Sequence, residues 1–557
     1  MDTQFSPNKT RKLTGAQAIV ECMKIEGVTN VFCVPGESYL PVLDALYDET
    51  SINVISARHE GGAAFMAEGY AKSSLKPGIV LATRGVGAAN LSIGVHTAYQ
   101  DSTPMVVFLG QVHSRFRGRE GFQEVDLDRY FQHIAKWAVE VHDPERMPEI
   151  VQRAFRLAQT GRPGPVVVSL PEDVLPVAVD MHFGPKTTKP APTPSKEEVK
   201  RIESVLMEAH HPLIIAGGGV KSAQAEGSLF AFAEKNQIPV AAAFRRHDVF
   251  PNDHQLYIGH LGLGLNRKVL QTVEEADVIL ALGTRLSEVT TQDYKIIDSS
   301  KRLVHIDIDY ETIGKVYAPE IGVVADLNQA LKSFIDIDVT ASWNAWVKER
   351  RSAYESISRL TVSEDDVINK HIIAMLERKL PKNALLTNDA GNFAGWLHAF
   401  YPFINKHTYV GPTSGAMGYG MPAALGAKLA FPEKQVVSLS GDGGFMMTAQ
   451  ELETAVRNNI PVISLVFNNN MYGTIRMHQE MHYPEKVMAT DLGAVSFAKL
   501  ANSVGADGFV ANTLGEFESA LDHALESQKP TVIEIITDKE QISVSSTIGQ
   551  IRERSTK

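Results

Sequence analysis

Asp442 and Asn469 are the residues of this chain whose types and spacing most directly suggest chemistry. Asp442 lies in the turn Gly441-Asp442-Gly443-Gly444, and Asn469 is the middle of Asn468-Asn469-Asn470, 27 positions further on. The run "QVVSLSGDGG" reads as a strand ending in a glycine-rich turn, and "PVISLVFNNN" reads as the next strand. Strand, helix and strand of that length return the chain beside its start, because neighbouring parallel strands need such a crossover. Both residues would then stand at the carboxyl ends of adjacent strands, where open α/β sheets bind ligands. A carboxylate, an amide oxygen and a loop carbonyl beside a helix start make an oxygen-only site for a hard cation such as Mg2+, which prefers phosphate oxygens as its remaining ligands. The glycines are expected to let the backbone approach that ligand closely.

Glu60 is the second candidate. It sits in "ISARHEGGAAFMAEGYA" (55–71), at the end of a short strand and the start of a helix, in almost wholly apolar and small company. Two readings fit: a helix-start acid favoured by the macrodipole, or a buried carboxylate placed for proton chemistry.

The elements that must position these groups alternate throughout. Strand-like runs such as "GIVLAT", "PMVVFLG", "PVVVSL", "PLIIAG", "ADVILALG", "RLVHIDID" and "PTVIEIIT" are separated by helical segments, the signature of parallel α/β sheets. A Pro-, Thr- and Lys-rich stretch and a polar helix-like stretch interrupt the pattern. The expected organisation is three doubly wound parallel-sheet domains: 1–183, 199–336 and 360–545, with linkers 184–198 and 337–359 and a charged, frayed tail 546–557. Segments 84–99 and 415–430 are both small-residue helix starts after a strand, as a duplicated unit would have.

A chain of 557 residues exceeds one core, and a 44% hydrophobic, 21% charged composition is that of an ordinary globular protein. The net charge of -11 argues against a nucleic-acid-coating surface. The polar N-terminus lacks a secretory apolar core, and no run is long enough to span a membrane. Cys22 and Cys33 fit neither a disulfide framework nor a zinc site, and read as small buried residues of a reducing cytoplasm.

"GDG" followed at this spacing by "NN" resembles the fingerprint of thiamine-diphosphate enzymes. The likeness covers nearly the whole chain and lies nearest the acetohydroxyacid (acetolactate) synthase group, through "RHEGGAAFMAEGYA", "GREGFQEVD", "RPGPVVVSLPEDV", "ADVILALGTRLSE" and "VHIDIDYETIGK". It implies that Asp442, Asn469 and the Met471 carbonyl hold Mg2+. Gly391, Asn392, Gly441, Gly443, Gly444, Phe445, Tyr472 and Gly473 would line the diphosphate. Glu60 would meet a ring nitrogen of the aminopyrimidine, with its glycine and apolar neighbours as the ring's contact surface. Met417 would wedge the cofactor into a bent form; alone it is an ordinary core methionine. Phe122 and Gln123 would lie beside the reacting carbon, and Arg285 would favour a second 2-oxo acid as acceptor, as a bidentate Arg–carboxylate pair does.

The chain departs from that pattern at the site's mouth. Glu37 follows the first Pro-Gly where the group has small residues, as pyruvate-decarboxylase-type enzymes have an acid. Arg84 replaces a Ser, Glu172 a Lys, and His478 a Trp. Arg84 and Arg285 together suggest an acidic substrate. The His-His pair of decarboxylases has no counterpart in the first unit, and His210-His211 reads as a turn. FAD is a further expectation for the middle unit, from "AGGGVKS" and "HIDIDYETIGK". However, "FRRHD" (244–248) puts two arginines where that site is small, and they would fill the pocket or bind another nucleotide's phosphates.

The implied activity is decarboxylation of a 2-oxo acid such as pyruvate and ligation to a second carbonyl. The alternatives are a decarboxylase or 2-hydroxyketone lyase of the same family, and, remotely, a non-catalytic nucleotide-binding regulator. The implied assembly is a homodimer at least, with a tetramer compatible and a regulatory subunit left open.

Overall fold

The computed structural model describes residues 10–555. The first nine residues, and the last two of the tail, lie outside the described residues. β1 (Arg11–Thr14) pairs antiparallel with β8 (Ala178–Met181). The other strands form three six-stranded parallel sheets. The first holds β2 (Asn30–Cys33), β3 (Asn53–Ser56), β4 (Gly78–Thr83), β5 (Met105–Gln111), β6 (Trp137–Glu140) and β7 (Pro165–Pro171), in the order β3-β2-β4-β5-β7-β6. The middle sheet holds β9 (Pro212–Ala216), β10 (Val240–Ala242), β11 (Tyr257–His260), β12 (Val278–Leu282), β13 (Arg302–Asp307) and β14 (Ile321–Val324), in the order β11-β10-β9-β12-β13-β14. The third holds β15 (Leu385–Asn388), β16 (Tyr409–Val410), β17 (Val436–Gly441), β18 (Ile463–Asn468), β19 (Asp507–Ala511) and β20 (Thr531–Ile536), in the order β16-β15-β17-β18-β20-β19.

Central strands such as β5, β7 and β12 are buried along their whole length. Helices cover both faces, so these strands are continuous runs of Val, Ile and Leu rather than alternating ones. The first and third sheets share one topology: in each, the second strand lies outside the first and the last two exchange places. The middle sheet has the order of a dinucleotide-type doubly wound fold. The fold class read from the sequence is therefore the fold observed.

The shared topology matches different segments from the two compared above. Helix Arg84–Asp101 follows the third strand of its sheet, and helix Gly420–Ala430 follows the second. The counterpart of Gly420–Ala430 is helix Glu60–Ser74, after β3. Small residues are common to segments 84–99 and 415–430 because both helices pack closely on the Glu60 helix. A Cβ added to Gly94 would lie 2.2 Å from Ala64 Cβ, and one added to Gly426 would lie 2.0 Å from the Met66 carbonyl. Pressed from both sides, the Glu60 helix is buried nearly all round.

The tail also differs from expectation. Ile548–Ser555 is a helix, with Ile548 and Ile551 buried and the Arg552 guanidinium forked onto Glu480 at 2.7 and 2.7 Å. A bidentate pair and two apolar contacts order the segment despite its charge. Cys22 and Cys33 are buried free thiols. Among the described residues no helix is long and apolar enough to cross a membrane.

Candidate active site

The parallel pairing of β17 with β18 sets Gly441 opposite Phe467 and brings Asp442 beside the asparagine loop. The three asparagines do different work. Asn468 Nδ2 donates inward to Glu534 at 2.8 Å, while its Oδ1 accepts from the Asn470 amide at 3.1 Å. Asn470 turns the chain at φ +52°, a conformation Asn tolerates. Asn469 is left half-buried, its Oδ1 on the Met471 amide at 3.2 Å. Asp442 accepts from the Gly443 amide at 2.9 Å and also faces the amides of Asn470 and Met471. Burial pushes its carboxyl above the ordinary range against those amides; a bound cation would reverse the shift. One carboxylate, one amide oxygen and the carbonyl of Met471 are thus grouped around the same peptide units, a donor set that fits Mg2+.

Two of the glycines serve protein contacts. A Cβ on Gly443 would lie 2.5 Å from the Tyr472 ring, and one on Gly444 would lie 2.7 Å from Asp389 Oδ2. The helix opened by Asp442 is a single turn, Asp442–Phe445, with the Phe445 ring buried 5.6 Å from Phe497, so Phe445 offers its backbone alone. Asn392 and Gly391 lie at the end of β15. Asn392 is engaged, donating to the Ile542 carbonyl at 2.9 Å and accepting from Thr474 at 3.0 Å. Gly473 donates to the Met471 carbonyl at 2.9 Å. Met417 is half-buried in a loop turned by Gly415 and Gly418, at φ +71° and +76°. Asp389, which sequence reasoning missed, holds that loop: its carboxyl accepts from Gly420 and faces the amides of Gly418 and Tyr419. Its Oδ2 is buried without a partner, and burial pushes it up to about 6.

Glu60 opens its helix with His59 as the cap. Its Oε2 accepts from Asn90 Nδ2 at 2.9 Å, and its Oε1 lies 3.2 Å from where a Cβ on Gly87 would be. Arg84, Gly87 and Asn90 recur at every third position, so one face of helix Arg84–Asp101 looks onto Glu60. That period is visible in the sequence. The turn before Glu60 is fixed from the third unit: Glu451 accepts from the Arg58 and His59 amides at 3.1 and 3.0 Å. A Cβ on Gly62 would lie 2.4 Å from Glu451 Oε1. Gly62, two residues after Glu60, therefore admits this carboxylate within the chain.

Three of the mouth residues, Glu37, Arg84 and Glu172, form one cluster. Arg84 Nη1 lies 3.1 Å from Glu37 and its Nη2 lies 3.0 Å from Glu172. Phe122 is 73% exposed beside the Arg84 guanidinium, which is 6.0 Å from its ring centroid. Gln123, at φ +64°, accepts the Gly85 amide at 3.1 Å through its carbonyl. His478 is exposed on helix Gly473–His482, 6.1 Å from the His482 ring.

Arg285 lies elsewhere in the chain. Its Nη2 donates to the Gln100 carbonyl at 2.6 Å, at the opposite end of the helix that Arg84 opens, about 24 Å along the axis. It borders a cavity of about 470 Å³ lined by Gly218, Gly219, Arg245, Arg246 and Asp307. Burial, with Arg162 and Arg246 near, pushes Arg285 down to about 10. Arg246 reaches Asp101 at 3.3 Å and lies over the glycine turn, 2.8 Å from where a Cβ on Gly218 would be. Arg245 is buried with Nε and Nη1 unpartnered. His210 and His211 cap a turn through their amides onto Asp277.

Three family profiles match the chain in sequence. "Thiamine pyrophosphate enzyme, N-terminal TPP binding domain" covers residues 13–130, the central domain 199–334, and the C-terminal TPP binding domain 389–535. The chain is 33% identical over 550 residues to a probable acetolactate synthase large subunit of Methanocaldococcus jannaschii, covering 94% of this chain and 92% of the relative. It is 32% identical to the acetolactate synthase large subunit of Haemophilus influenzae (95% and 96% covered) and 31% identical to the isozyme 1 large subunit of Escherichia coli (97% and 97%). With the two sites above at the ends of its first and third sheets, the chain is a thiamine pyrophosphate-dependent enzyme and belongs to the family of the acetolactate synthase large subunits.

Proposed function

We propose that the enzyme decarboxylates pyruvate and joins the remaining two-carbon unit to a second 2-oxo acid, forming 2-acetolactate from two pyruvates. The observation that carries the reading is the Asp442–Asn469–Met471 oxygen set together with a buried Glu60 aimed by Asn90. Bound thiamine diphosphate would supply a nucleophilic carbon that attacks the 2-oxo carbon and takes up the electrons left when CO2 departs. Asp442, Asn469 and the Met471 carbonyl would hold Mg2+, and with it the diphosphate. Glu60 would hold or give a proton at the pyrimidine ring nitrogen, its apolar surroundings keeping that hydrogen bond strong. Met417, fixed by Asp389, would set the cofactor's shape.

A dimer fits this reading. Val86 and Ile93 are 51% and 44% exposed on the helix beside Glu60, and Met446 and Met447 are 49% and 47% exposed beside Asp442. A second copy would cover both apolar faces and bring its own Asp442 to this Glu60. The middle cavity suits a phosphate-bearing nucleotide through its arginines, and FAD is the one the resemblance implies; blue absorbance of the purified protein decides it.

The test is product analysis with pyruvate, Mg2+ and thiamine diphosphate. Acetolactate is expected; acetaldehyde without acetolactate or acetoin would replace this reading with a decarboxylase.

A further inference from the structure

We infer that Arg84 receives the carboxylate of the acceptor 2-oxo acid and that Glu37 is the displaceable counter-ion holding its place in the free enzyme. This rests on the carboligase reading above. Arg84 is only 7% exposed, and its Nε is buried with no partner. It also opens an 18-residue helix whose first turn contains no acid and whose cap residue Thr83 makes no side-chain capping hydrogen bond, its hydroxyl pairing instead with Ser38 at 2.7 Å. A cation at the positive end of a helix is disfavoured. The site therefore calls for anions, and it has two of different character. Glu172 is two-thirds buried, whereas Glu37 is 69% exposed in side chain, on a three-residue turn. An exposed ion pair is weak and screened, so one carboxylate can replace another there without leaving the buried guanidinium unpaired. Glu172 stays, and Glu37 moves into water when an acid arrives.

The acceptor, not the donor, is the ligand by a transition-state argument. The donor's carboxylate leaves as CO2, and pairing it with arginine would stabilise the ground state more than the transition state. The acceptor's carboxylate survives into the product, so its pairing costs the reaction nothing. Place agrees with this: Gly87 and Asn90, on the same helix face as Arg84, touch Glu60, and Phe122 covers the guanidinium from outside.

The experiment is a competition in the reconstituted holoenzyme, with pyruvate as donor and pyruvate or propanal as acceptor. Arg84→Gln should lower the acid-to-aldehyde product ratio at least tenfold, and Arg84→Lys should restore part of it. Glu37→Gln should raise the ratio about threefold, through KM for the acid acceptor. An unchanged ratio in Arg84→Gln, with acetolactate still made by the wild type, overturns the inference and leaves the carboligase reading standing. Should Arg84→Gln fail to fold, an unchanged ratio in Glu37→Gln overturns it equally. A wild type that releases only acetaldehyde overturns the carboligase reading, and this inference with it.

Discussion

The first and third sheets place two opposite charges at the same topological point. After the third strand of each sheet the chain turns into a helix: Gly441 to Asp442 in one, Thr83 to Arg84 in the other. At the third-sheet junction the acid agrees with the helix end, and nearby backbone amides support it while leaving oxygens for a cation. At the first-sheet junction the base opposes the helix end, and two carboxylates from other loops compensate it. One architecture, repeated, thus places an acid among backbone amides in one unit and an arginine between two carboxylates in the other, the proposed cation cradle and the proposed acceptor site. The second-strand junctions differ too. Glu60 opens its helix where Gly420 opens the counterpart, so the carboxylate proposed to handle a proton exists on one side alone.

The sharpest way to break this pairing of roles is Glu60→Gln. The amide keeps the shape and the bond to Asn90 but cannot exchange a proton at the cofactor ring. Turnover should fall about 10²–10⁴-fold, the range for losing a general acid–base group, while far-UV circular dichroism and cofactor-analogue binding are retained. Turnover within tenfold of wild type would return Glu60 to the role of a helix-start acid. Next in size is Asp442→Ala. Mg2+ with thiamine diphosphate should raise the wild type's melting temperature, by about 2.7 kcal/mol of stabilisation at a hundredfold excess over Kd. The variant should show almost none of it. An undiminished shift would mean the cation is held elsewhere.

Much of this contrast is legible in the sequence. The central strands announce themselves because burial on both faces demands unbroken apolar runs. Edge strands such as Tyr409–Val410 and Ile321–Val324 are too short, or too alternating, to stand out. Asp442 and Asn469 were readable because a crossover fixes how far apart they must be. Glu451 and Asp389 were not, since each acts on backbone amides remote in sequence, and a carboxylate's partner in another unit leaves no local period. Glu37, Arg84 and Glu172 read in the sequence as three separate departures; that they are one ion-paired unit is a fact of the sheet's carboxyl edge, not of spacing. Gly62 and Gly443 are illegible in the same way. Their absent side chains make room for Glu451 and Tyr472 within the chain, and sequence cannot tell such room from room for a ligand.

The middle unit meets the third by a different means again, and acid should separate the two kinds of seam. Where the first and third units join, an apolar helix-on-helix contact is framed by matched charges: Lys72, paired with Glu68 and Asp101 at 3.0 Å each, donates to the Gly411 carbonyl at 3.0 Å, and Glu451 holds the His59 amide at 3.0 Å. Where the middle and third units join, three histidines are packed as neutral rings. His247 stacks on His398 with centroids 4.4 Å apart and meets His260 at 4.5 Å, with Arg245, Lys221, Asp248 and Tyr409 around them. Burial holds His247 and His398 well below the ordinary histidine range and His260 down at about 4. The unfolded chain therefore binds protons first, near pH 6.5, and stability conferred by the neutral rings is full above that value and lost as pH falls toward 4. Between pH 8 and 6 the loss should be about 1 kcal/mol per histidine, read as a lower urea midpoint. His247→Phe, which keeps a ring between His398 and Phe403, should flatten that dependence while Glu451→Gln should not. If both variants keep the wild-type slope, the pH response comes from the charged seam, and the contrast between the two seams fails.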